Sequence, residues 1–455
     1  GSLVAGPLLC LIIFLAMPSS YVTADGSVAE FSQAGRACLG VLVWMAIWWC
    51  FETAPISVTS LLPMVLFPLF GVCKPAAAMA PYASDTIFLF MGAFILAAGV
   101  TKWGLDRRIA LFVMSCIGAT PKKIVFGIML TTGTLSAFMS NTACAAMMVP
   151  VAIALVNLVH STNDPNDKEA AVREHRFTIC LLLALAYSAS IGGMATLIGS
   201  PPNGIYMRFM EQTYGTSVSI VDWMKVGVPV AVMMFLVAYF VLANIMFRDM
   251  GGEVPGGREW VKKELAGMGK MSRGEIAIGL CFLIAAVLWF TGSAIRGIEV
   301  DGCRPFRFLN DAVIAMMMGV ISFLIPVDDK GDTAMDWETA NREISWDVLL
   351  LFGGGLSLAA AIQSTGVAAL IGAQVTVLSG APFWALLLGV VTLVTFATGV
   401  TSNTALAAMM MPLLAAVCSA LNLPAQPVLF ATALAASAAF ILPISTPPNA
   451  IVFGT

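Results

Sequence analysis

The sequence predicts an all-α polytopic membrane protein whose two halves share one architecture. The chain has 455 residues, of which 59% are hydrophobic and 11% are charged, whereas a soluble domain carries roughly 25% charged residues. Apolar runs such as 226–247 and 276–295 recur along the chain, and a run of about 20 residues crosses a bilayer as a helix. The runs are continuous rather than alternating, which argues against a membrane β-barrel.

An internal repeat relates the two halves. The phrase SNTACAAMMVP at 140–150 returns 262 residues later as SNTALAAMMMP at 402–412, with nine of eleven positions identical. GSPPN at 199–203 likewise returns as STPPN at 445–449, now 246 residues later. The lost 16 residues equal the length of the polar segment 161–176, which the second half lacks. Two halves of one design, rather than chance repetition, account for these matches.

The distribution of basic residues predicts opposite orientations for the two repeats. Eight basic residues surround the first SNT phrase: Lys102, Arg107, Arg108, Lys122, Lys123, Lys168, Arg173 and Arg176. After Asp347 the chain has no charged residue. Positively charged flanks favour the cytoplasm, so the repeats are expected to enter the membrane from opposite faces. Inverted repeats are typical of secondary transporters, which bind substrate near the midplane between them.

Each repeat is predicted to contain a hairpin and a broken helix. The segments 121–160 and 382–420 have short apolar arms on either side of SNT, which favours re-entrant hairpins that turn inside the membrane. Two ordinary helices joined by a loop remain the alternative. In 177–220 and 428–455 the Pro-Pro pair removes two N–H donors and breaks the helix. Backbone groups freed at such breaks must be satisfied by protein, ions or water.

These breaks offer neutral oxygen ligands and helix N-termini. Ser, Asn and Thr cap helix N-termini, whose positive dipole ends favour anions. The Asn amides and the hydroxyls of Thr142 and Thr404 therefore suit an anion with two acidic groups. One oxygen cage is predicted from Ser140, Asn141 and the loop at Gly199, and the other from Ser402, Asn403 and the loop at Ser445. Hard cations such as Na⁺ prefer oxygen ligands. Since no Lys or Arg lies near either phrase, co-bound cations would have to neutralise the anion. Simple structural breaks are the alternative interpretation.

Both SNT phrases, both PPN phrases, GGGL at 353–356 and their order resemble the divalent anion/sodium symporter family. That family includes the dicarboxylate and citrate transporters, and the similarity to its bacterial-type members runs from about Val43 onward. The resemblance implies an elevator-type transporter that forms a homodimer. It implies sodium ligands at Ser136, Ser140, Asn141 and Gly199, and at Thr398, Ser402, Asn403 and Ser445. It implies substrate contacts at Asn141, Thr142, Ser200, Asn403, Thr404, Thr446 and Pro447.

The resemblance and the repeat together predict the organisation of the chain. The scaffold helices are predicted within 1–120, with a horizontal amphipathic helix at 104–118, and within 276–364. The first half of the transport domain is predicted at 121–247, with hairpin 121–160 and broken helix 177–220, and a cytoplasmic connection follows at 248–275. The second half of the transport domain is predicted at 365–455, with hairpin 382–420 and broken helix 428–455. A final spanning helix is expected after Thr455, because the first half continues to about Phe247.

The remaining polar positions carry weaker signals. Glu52 is interpreted as part of an interfacial turn, with a proton relay as the alternative. Asp85 and Asp347 begin apolar runs, so we interpret them as helix-terminal residues or scaffold contacts rather than ion-coupling groups. The two histidines, at 160 and 175, border or lie within the polar segment and read as solvated loop residues. The ten cysteines contain no CxxC pair, which argues against a metal or redox site.

The sequence therefore predicts a sodium-coupled importer of dicarboxylates such as succinate, malate and fumarate in the plasma (inner) membrane. Sodium would bind at two or more sites, and a second copy, the bilayer and a dianionic carboxylate would be the partners, with no nucleic acid. A citrate or sulfate transporter, or a sodium-independent dicarboxylate exchanger, remains an alternative; the exchanger would need fixed Lys or Arg. An enzyme would need clustered acids, bases or metal ligands at depth, and a passive channel would not need inverted broken segments.

Overall fold

The computed structural model describes residues 1–23, 27–118, 120–162, 167–250, 257–299, 303–329, 331–375 and 380–455. Parts of the predicted polar segment (163–166) and of the predicted cytoplasmic connection (251–256) lie outside these residues. The helices up to the first PPN phrase are α1 Ser2–Ala16, α2 Gln33–Cys50, α3 Ile56–Ser60, α4 Leu62–Leu69, α5 Pro75–Met79, α6 Asp85–Trp103, α7 Leu105–Ile117, α8 Pro121–Ser136, α9 Asn141–Thr162 and α10 Lys168–Gly193.

The remaining helices complete the chain. They are α11 Pro201–Tyr214, α12 Ile220–Phe240, α13 Gly257–Gly267, α14 Arg273–Arg296, α15 Asp311–Ser322, α16 Trp337–Glu343, α17 Trp346–Ser364, α18 Val367–Gln374, α19 Phe383–Ala397, α20 Asn403–Ala420, α21 Ala425–Ala436 and α22 Pro447–Phe453. Short turns of 3₁₀-helix lie at Ala80–Ala83 and Pro443–Ser445, and a π-helical turn at Val241–Met246 continues α12.

The described residues include seven helical segments that are long and apolar enough to cross a membrane. They are Pro75–Trp103, Asn141–His160, Lys168–Gly193, Ile220–Met246, Arg273–Gly292, Trp346–Ser364 and Asn403–Ala420. The sequence did not predict the short antiparallel hairpin of β1 (Ser20–Val22) and β2 (Val28–Glu30), in which Ser20 pairs with Glu30. The predicted all-α membrane fold, with two helical hairpins and two broken helices, is confirmed.

Short polar side chains set many helix boundaries. The Ser32 hydroxyl accepts a hydrogen bond from Gly35 N at the start of α2. Ser219 and Asp222 form a reciprocal capping box at the start of α12, and the Asn310 side chain accepts from Val313 N before α15. Each cap satisfies an N–H group that has no partner inside its own helix. The same rule governs the SNT phrases, because Ser402 caps α20.

The chain divides into two compact units that are not continuous in sequence. The first unit contains Gly1–Phe88, Pro201–Val218 and Ser345–Ser445, and the second unit contains Leu89–Ser200, Ser219–Ile344 and Thr446–Thr455. Each unit therefore holds the hairpin of one repeat together with the helical arm that follows the PPN phrase of the other repeat. The arms are exchanged because the boundaries between the two units lie at the two helix breaks, after Ser200 and after Ser445.

The second unit is built around the first hairpin. Helix α8 packs closely against α10, α9 packs against both, and α22 packs against α9 and α10. Two glycines allow the contact between α8 and α10, since a Cβ atom at Gly192 would lie 2.1 Å from the Gly133 carbonyl oxygen. Such a distance is far inside van der Waals contact, so only glycine fits there. The contact aligns Ser136, at the end of α8, with Ala189 of α10.

The first unit is built around the second hairpin. Helices α19 and α20 pack against α21, and α11 packs against α17, α20 and α21. The GGGL phrase lies on α17, where Gly353 faces the ring of Tyr82 and Gly354 faces the Ser60 carbonyl oxygen. The Tyr82 hydroxyl donates to that same oxygen at 2.5 Å. The glycines therefore permit close helix packing.

Candidate functional site

The first SNT turn gathers oxygen atoms from three parts of the second unit. Ser136 ends α8 and is fully buried, and its hydroxyl donates to the Ala189 carbonyl oxygen at 2.7 Å. One terminal amide atom of Asn141 lies 2.6 Å from Ser136 Oγ, 3.1 Å from Ala189 O and 3.2 Å from Gly199 O, a setting that suits the amide nitrogen as donor. Three oxygens thus converge on one amide atom. We call Ser136, Asn141, Ala189 O and Gly199 O the first cage.

Close backbone approach shapes the first cage. A Cβ atom at Gly193 would lie 2.5 Å from the Asn141 amide and 2.9 Å from Gly199 O. A Cβ atom at Gly199 would lie 2.8 Å from Gly193 O and 2.9 Å from Ala137 O. Thr196 connects the same backbone segments, because its buried hydroxyl donates to Ala137 O and accepts from Gly199 N at 3.1 Å. A side chain at Gly193 would displace a cage oxygen, and a side chain at Gly199 would push the backbone that carries the Gly199 carbonyl away from Gly193 and Ala137.

The second SNT turn forms the corresponding group within the first unit. The buried hydroxyl of Thr398 lies 2.7 Å from Asn403 Oδ1 and 2.6 Å from the Ala436 carbonyl oxygen. Ser445 donates from its hydroxyl to Leu442 O at 2.6 Å and lies 3.2 Å from Ala439 O. We call Thr398, Asn403 and Ala436 O, together with Ser445, which corresponds to Gly199 in the repeat, the second cage.

The two cages are related but not identical. At an offset of 246 residues, Gly193 and Gly199 correspond to Ala439 and Ser445. Thr196 corresponds at the same offset to Leu442. The hydroxyl of this turn therefore belongs to Thr196 in the first repeat. In the second repeat it lies three positions later, on Ser445. The first cage closes by glycine backbone contact, whereas the second has a side-chain hydroxyl in that place.

The hydroxyls of Ser140 and Ser402 act as helix caps. Ser140 Oγ accepts from Ala143 N at 3.3 Å, and Ser402 Oγ accepts from Ala405 N at 3.5 Å. Their side chains satisfy the first turns of α9 and α20, and a hydroxyl oxygen that accepts one hydrogen bond keeps a second lone pair. Capping is thus compatible with a role as cation ligand.

The predicted substrate residues fall into two groups. Asn141, Thr142, Ser200, Thr446 and Pro447 belong to the second unit, and Asn403 and Thr404 belong to the first. Thr142 is exposed in the first turn of α9, whereas Ser200 and Thr446 are buried. Thr446 caps α22 by accepting from Asn449 N at 3.4 Å. The second unit therefore presents Asn141 and Thr142 at the start of a 22-residue helix.

The donor set of the cages suits a hard monovalent cation. Both cages offer hydroxyl, amide and carbonyl oxygens, and the sequence has no Lys or Arg between 124 and 167 or after Arg342. Among the described residues, no three His, Cys, Asp or Glu side chains cluster as a metal site. Rotation of the Asn141 amide would direct Oδ1 towards the three other oxygens, which gives four neutral oxygens. Na⁺ prefers such ligands.

Sequence reasoning named the side chains of the cages and the loop at Gly199, but it missed two backbone carbonyl groups that the structure brings beside them. The carbonyls of Ala189 and Ala436 carry no residue-type signal, although these alanines are related by an offset of 247 residues. Gly193 was missed because a helix-terminal glycine has many possible causes. Of the weaker positions, Glu52 lies in an exposed turn with φ 44°, while Asp85 and Asp347 are exposed in the first turns of α6 and α17.

Comparison with known proteins shows the family. Residues 7–455 match the family described as the sodium:sulfate symporter transmembrane region. The chain is 36% identical over 455 residues to the sodium-dependent dicarboxylate transporter SdcS of Staphylococcus saprophyticus, covering 100% of this chain and 85% of that protein. SdcS of Staphylococcus aureus is also 36% identical, with 84% of its length covered.

Two solved structures share the fold at low sequence identity. The YdaH transporter of Alcanivorax borkumensis has a TM-score of 0.55 and 11% identity, with 100% of this chain and 88% of that chain covered. MtrF of Neisseria gonorrhoeae has a TM-score of 0.58 and 14% identity, with 100% and 87% covered. At these identities the likeness concerns the fold alone. The family match and the named relatives, with seven helical segments among the described residues long and apolar enough to cross a membrane, lead to one conclusion: the chain is a multi-pass plasma-membrane transporter, not an enzyme, and belongs to the sodium:sulfate symporter family.

Proposed function

We propose that the protein imports dicarboxylates of the succinate, malate and fumarate class together with sodium, by an elevator mechanism. The relatives that are 36% identical are named sodium-dependent dicarboxylate transporters. The observation that carries the proposal is the doubled cage of neutral oxygens. Each cage lies where a hairpin turn meets a broken helix, and each contains an asparagine that begins a long helix.

Sodium would bind at two sites, one in each cage. Ser136, Asn141 and Gly199 would hold the first ion, with Ser140 adding its hydroxyl. Thr398, Ser402, Asn403 and Ser445 would hold the second. The ligands are uncharged, so binding should be weak and reversible, as a transport cycle requires. The Asn141 amide would exchange its hydrogen bonds for cation coordination by turning Oδ1 inward.

The charges of the ions explain why transport would be coupled. The substrate is a dianion, and an uncompensated charge is costly within the membrane. The N-termini of α9 and α20 supply only partial positive charge, about half an elementary charge each. With no Lys or Arg in these segments, two sodium ions would supply the missing charge. The carboxylates would meet Asn141, Thr142, Ser200, Asn403, Thr404, Thr446 and Pro447.

The larger movement and assembly are part of the same proposal. The hairpins and broken helices within 121–247 and 365–455 would move as the transport domain, against scaffold helices within 1–120 and 276–364. The opposite distribution of basic residues around the two SNT phrases supports an inverted relation of the repeats. A homodimer would hold the scaffold still during the movement.

Sulfate is the second candidate substrate, because the matching family is described as sodium:sulfate symporters. Sulfate is also a dianion, so the same charge compensation by sodium would apply. Its tetrahedral shape would place both charges on one centre, whereas succinate spans two carboxylates. Competition between the two anions distinguishes the candidates.

Uptake into proteoliposomes tests the proposal. Labelled succinate should accumulate when sodium is higher outside, and should not accumulate when choline replaces sodium. Unlabelled malate or fumarate should compete, and sulfate should compete weakly. Equal uptake in sodium and choline would refute coupling and favour an exchanger. Sodium-driven uptake of citrate or sulfate without succinate uptake would keep the mechanism and change the substrate.

Replacing Gly193 with alanine should weaken sodium activation more than folding. The new Cβ would lie 2.5 Å from the Asn141 amide, which can rotate away, and 2.9 Å from Gly199 O. The Gly199 carbonyl must therefore also shift by a few tenths of an ångström, a smaller change than the separation of two helices. The sodium concentration for half-maximal uptake should rise by roughly tenfold, as expected when a hydrogen bond to a charged group is lost. Gly389→Ala is the control, because nothing lies within 4 Å of its Cβ position. Unchanged sodium dependence in Gly193→Ala would contradict the assigned cage.

A further inference from the structure

Helices α7 and α13, both in the second unit, border an open groove that is lined by none of the cage residues or predicted substrate residues. Its volume is about 580 Å³. Six side chains make it largely apolar: Leu105, Ile109, Phe112, Leu265, Ala266 and Met271. Arg108, Ser115 and Lys262 also line the groove. A groove with apolar walls and cationic groups suits a ligand with one apolar and one anionic end.

Helix α7 carries apolar side chains on two faces, one buried and one exposed. Ala110, Leu111 and Met114 are buried in the core of the second unit. On another face, Ile109 is 38% exposed and Phe112 is 60% exposed. A helix in water keeps its outer face polar, whereas a helix at the membrane interface exposes apolar side chains to lipid. The exposed face of α7 therefore fits contact with acyl chains.

The charges around the groove leave a lysine available. Arg107 pairs with Glu264 at 2.9 Å, and Arg108 pairs with the buried Glu275 at 2.6 Å. The arginines thus neutralise both glutamates. Lys262 is exposed and makes no ion pair or hydrogen bond within the described part of the chain. The groove therefore retains positive charge that its own carboxylates do not balance.

We infer that the groove between α7 and α13 binds an anionic glycerophospholipid of the cytoplasmic leaflet. Its phosphate would contact Lys262, and an acyl chain would lie along Ile109, Phe112 and Met271. The basic residues on both sides of the first SNT phrase put this region on the cytoplasmic side, where anionic lipids attract lysines near the surface. The bound lipid would bridge α7 to α13, in the segment that connects the two halves of the chain.

Native mass spectrometry of the full chain in detergent tests this inference. The protein is titrated with dioleoyl phosphatidylglycerol and, separately, with dioleoyl phosphatidylcholine. Phosphatidylglycerol should be retained preferentially. Lys262→Ala should weaken its binding about fivefold, the effect of one lysine near an anionic surface. Lys263→Ala is the matched control, because Lys263 is also exposed on the same helix but does not line the groove.

A second pair of variants tests the apolar part. Phe112→Ser should reduce retention of phosphatidylglycerol, whereas Phe290→Ser, at a side chain 52% exposed on α14, should not. Both positions are exposed, so both variants should fold. Equal loss in Lys262→Ala and Lys263→Ala, or equal retention of the two lipids, would overturn the inference. So would displacement of the lipid by inorganic phosphate alone, or loss of a dimer in Phe112→Ser, which would make the groove an interface between copies.

Discussion

Sodium-driven succinate uptake is expected to fall about tenfold to a hundredfold in Asn141→Ala and in Asn403→Ala, the range for a lost interaction with a charged group. Asn141 lies within hydrogen-bonding distance of every other oxygen of the first cage. Asn403 lies 2.7 Å from the Thr398 hydroxyl in the second cage. Without either amide, one cation loses a ligand and the substrate loses a hydrogen-bonding partner. Initial uptake rates in proteoliposomes measure the effect.

Asn157→Ala is the matched control for this pair. Asn157 lies on α9, the same helix as Asn141, but its side chain is exposed. Sodium-driven succinate uptake by the Asn157→Ala variant should match that of the unsubstituted protein. If Asn141→Ala retained sodium-driven uptake at the level of Asn157→Ala, with both proteins reconstituted in equal amounts, the first cage would not be a coupling site.

Gly192→Ala is expected to destabilise the folded protein by about 3 kcal/mol or more, at the upper end for inserting a methyl group into a packed interior. The added Cβ would lie 2.1 Å from Gly133 O and 2.7 Å from its carbonyl carbon. These are backbone atoms, so α8 and α10 must separate. Because Ser136 and Ala189 lie on these two helices, the first cage would open as well. The loss of stability is measured by thermal unfolding in detergent, with the fraction of folded protein determined at each temperature.

Gly389→Ala separates this clash from the general effect of replacing a helical glycine. Gly389 lies within α19, and nothing approaches its Cβ position within 4 Å. Alanine is the better helix former by about 1 kcal/mol, so this variant should be as stable as the unsubstituted protein or more so. A Gly192→Ala protein with the same unfolding temperature as Gly389→Ala would contradict the close contact between α8 and α10.

The repeated phrases predicted the helix boundaries because they contain residues with strong local preferences. Ser and Asn at the SNT turns begin α9 and α20, and the Pro-Pro pairs begin α11 and α22, where a missing N–H is tolerated. These choices are local, so they can be read from a single sequence. Asn141 and Asn403 were named from these local preferences, whereas Ser136 and Thr398 were named through the family resemblance.

Features that depend on distant parts of the chain could not be predicted in this way. Each unit combines a hairpin from one repeat with an arm from the other, which depends on packing between segments that lie far apart in the sequence, such as α11 and α20. The carbonyl groups of Ala189 and Ala436 became cage members only through the approach of α8 to α10 and of α19 to α21. The fit of Gly193 beside the Asn141 amide is likewise a property of the folded chain.

The difference between the cages has a consequence for ion binding. The first cage has glycine at both 193 and 199, so the Gly199 carbonyl oxygen is held by close backbone contact. The second has the Ser445 hydroxyl, whose rotation about one side-chain bond can change its position. A cage fixed by backbone is better preorganised and is expected to bind sodium more tightly. Two unequal sites would give sodium activation in two steps.

Direct binding of succinate to the purified protein, measured with sodium or with choline, tests coupling most directly. Linkage requires that sodium raise the affinity for succinate by the same factor by which succinate raises the affinity for sodium. Isothermal titration calorimetry should therefore detect succinate binding in sodium and none in choline, and labelled sodium should bind more tightly when succinate is present. Succinate that binds with equal affinity in sodium and choline would contradict the account, because the cages would then have no part in neutralising the substrate.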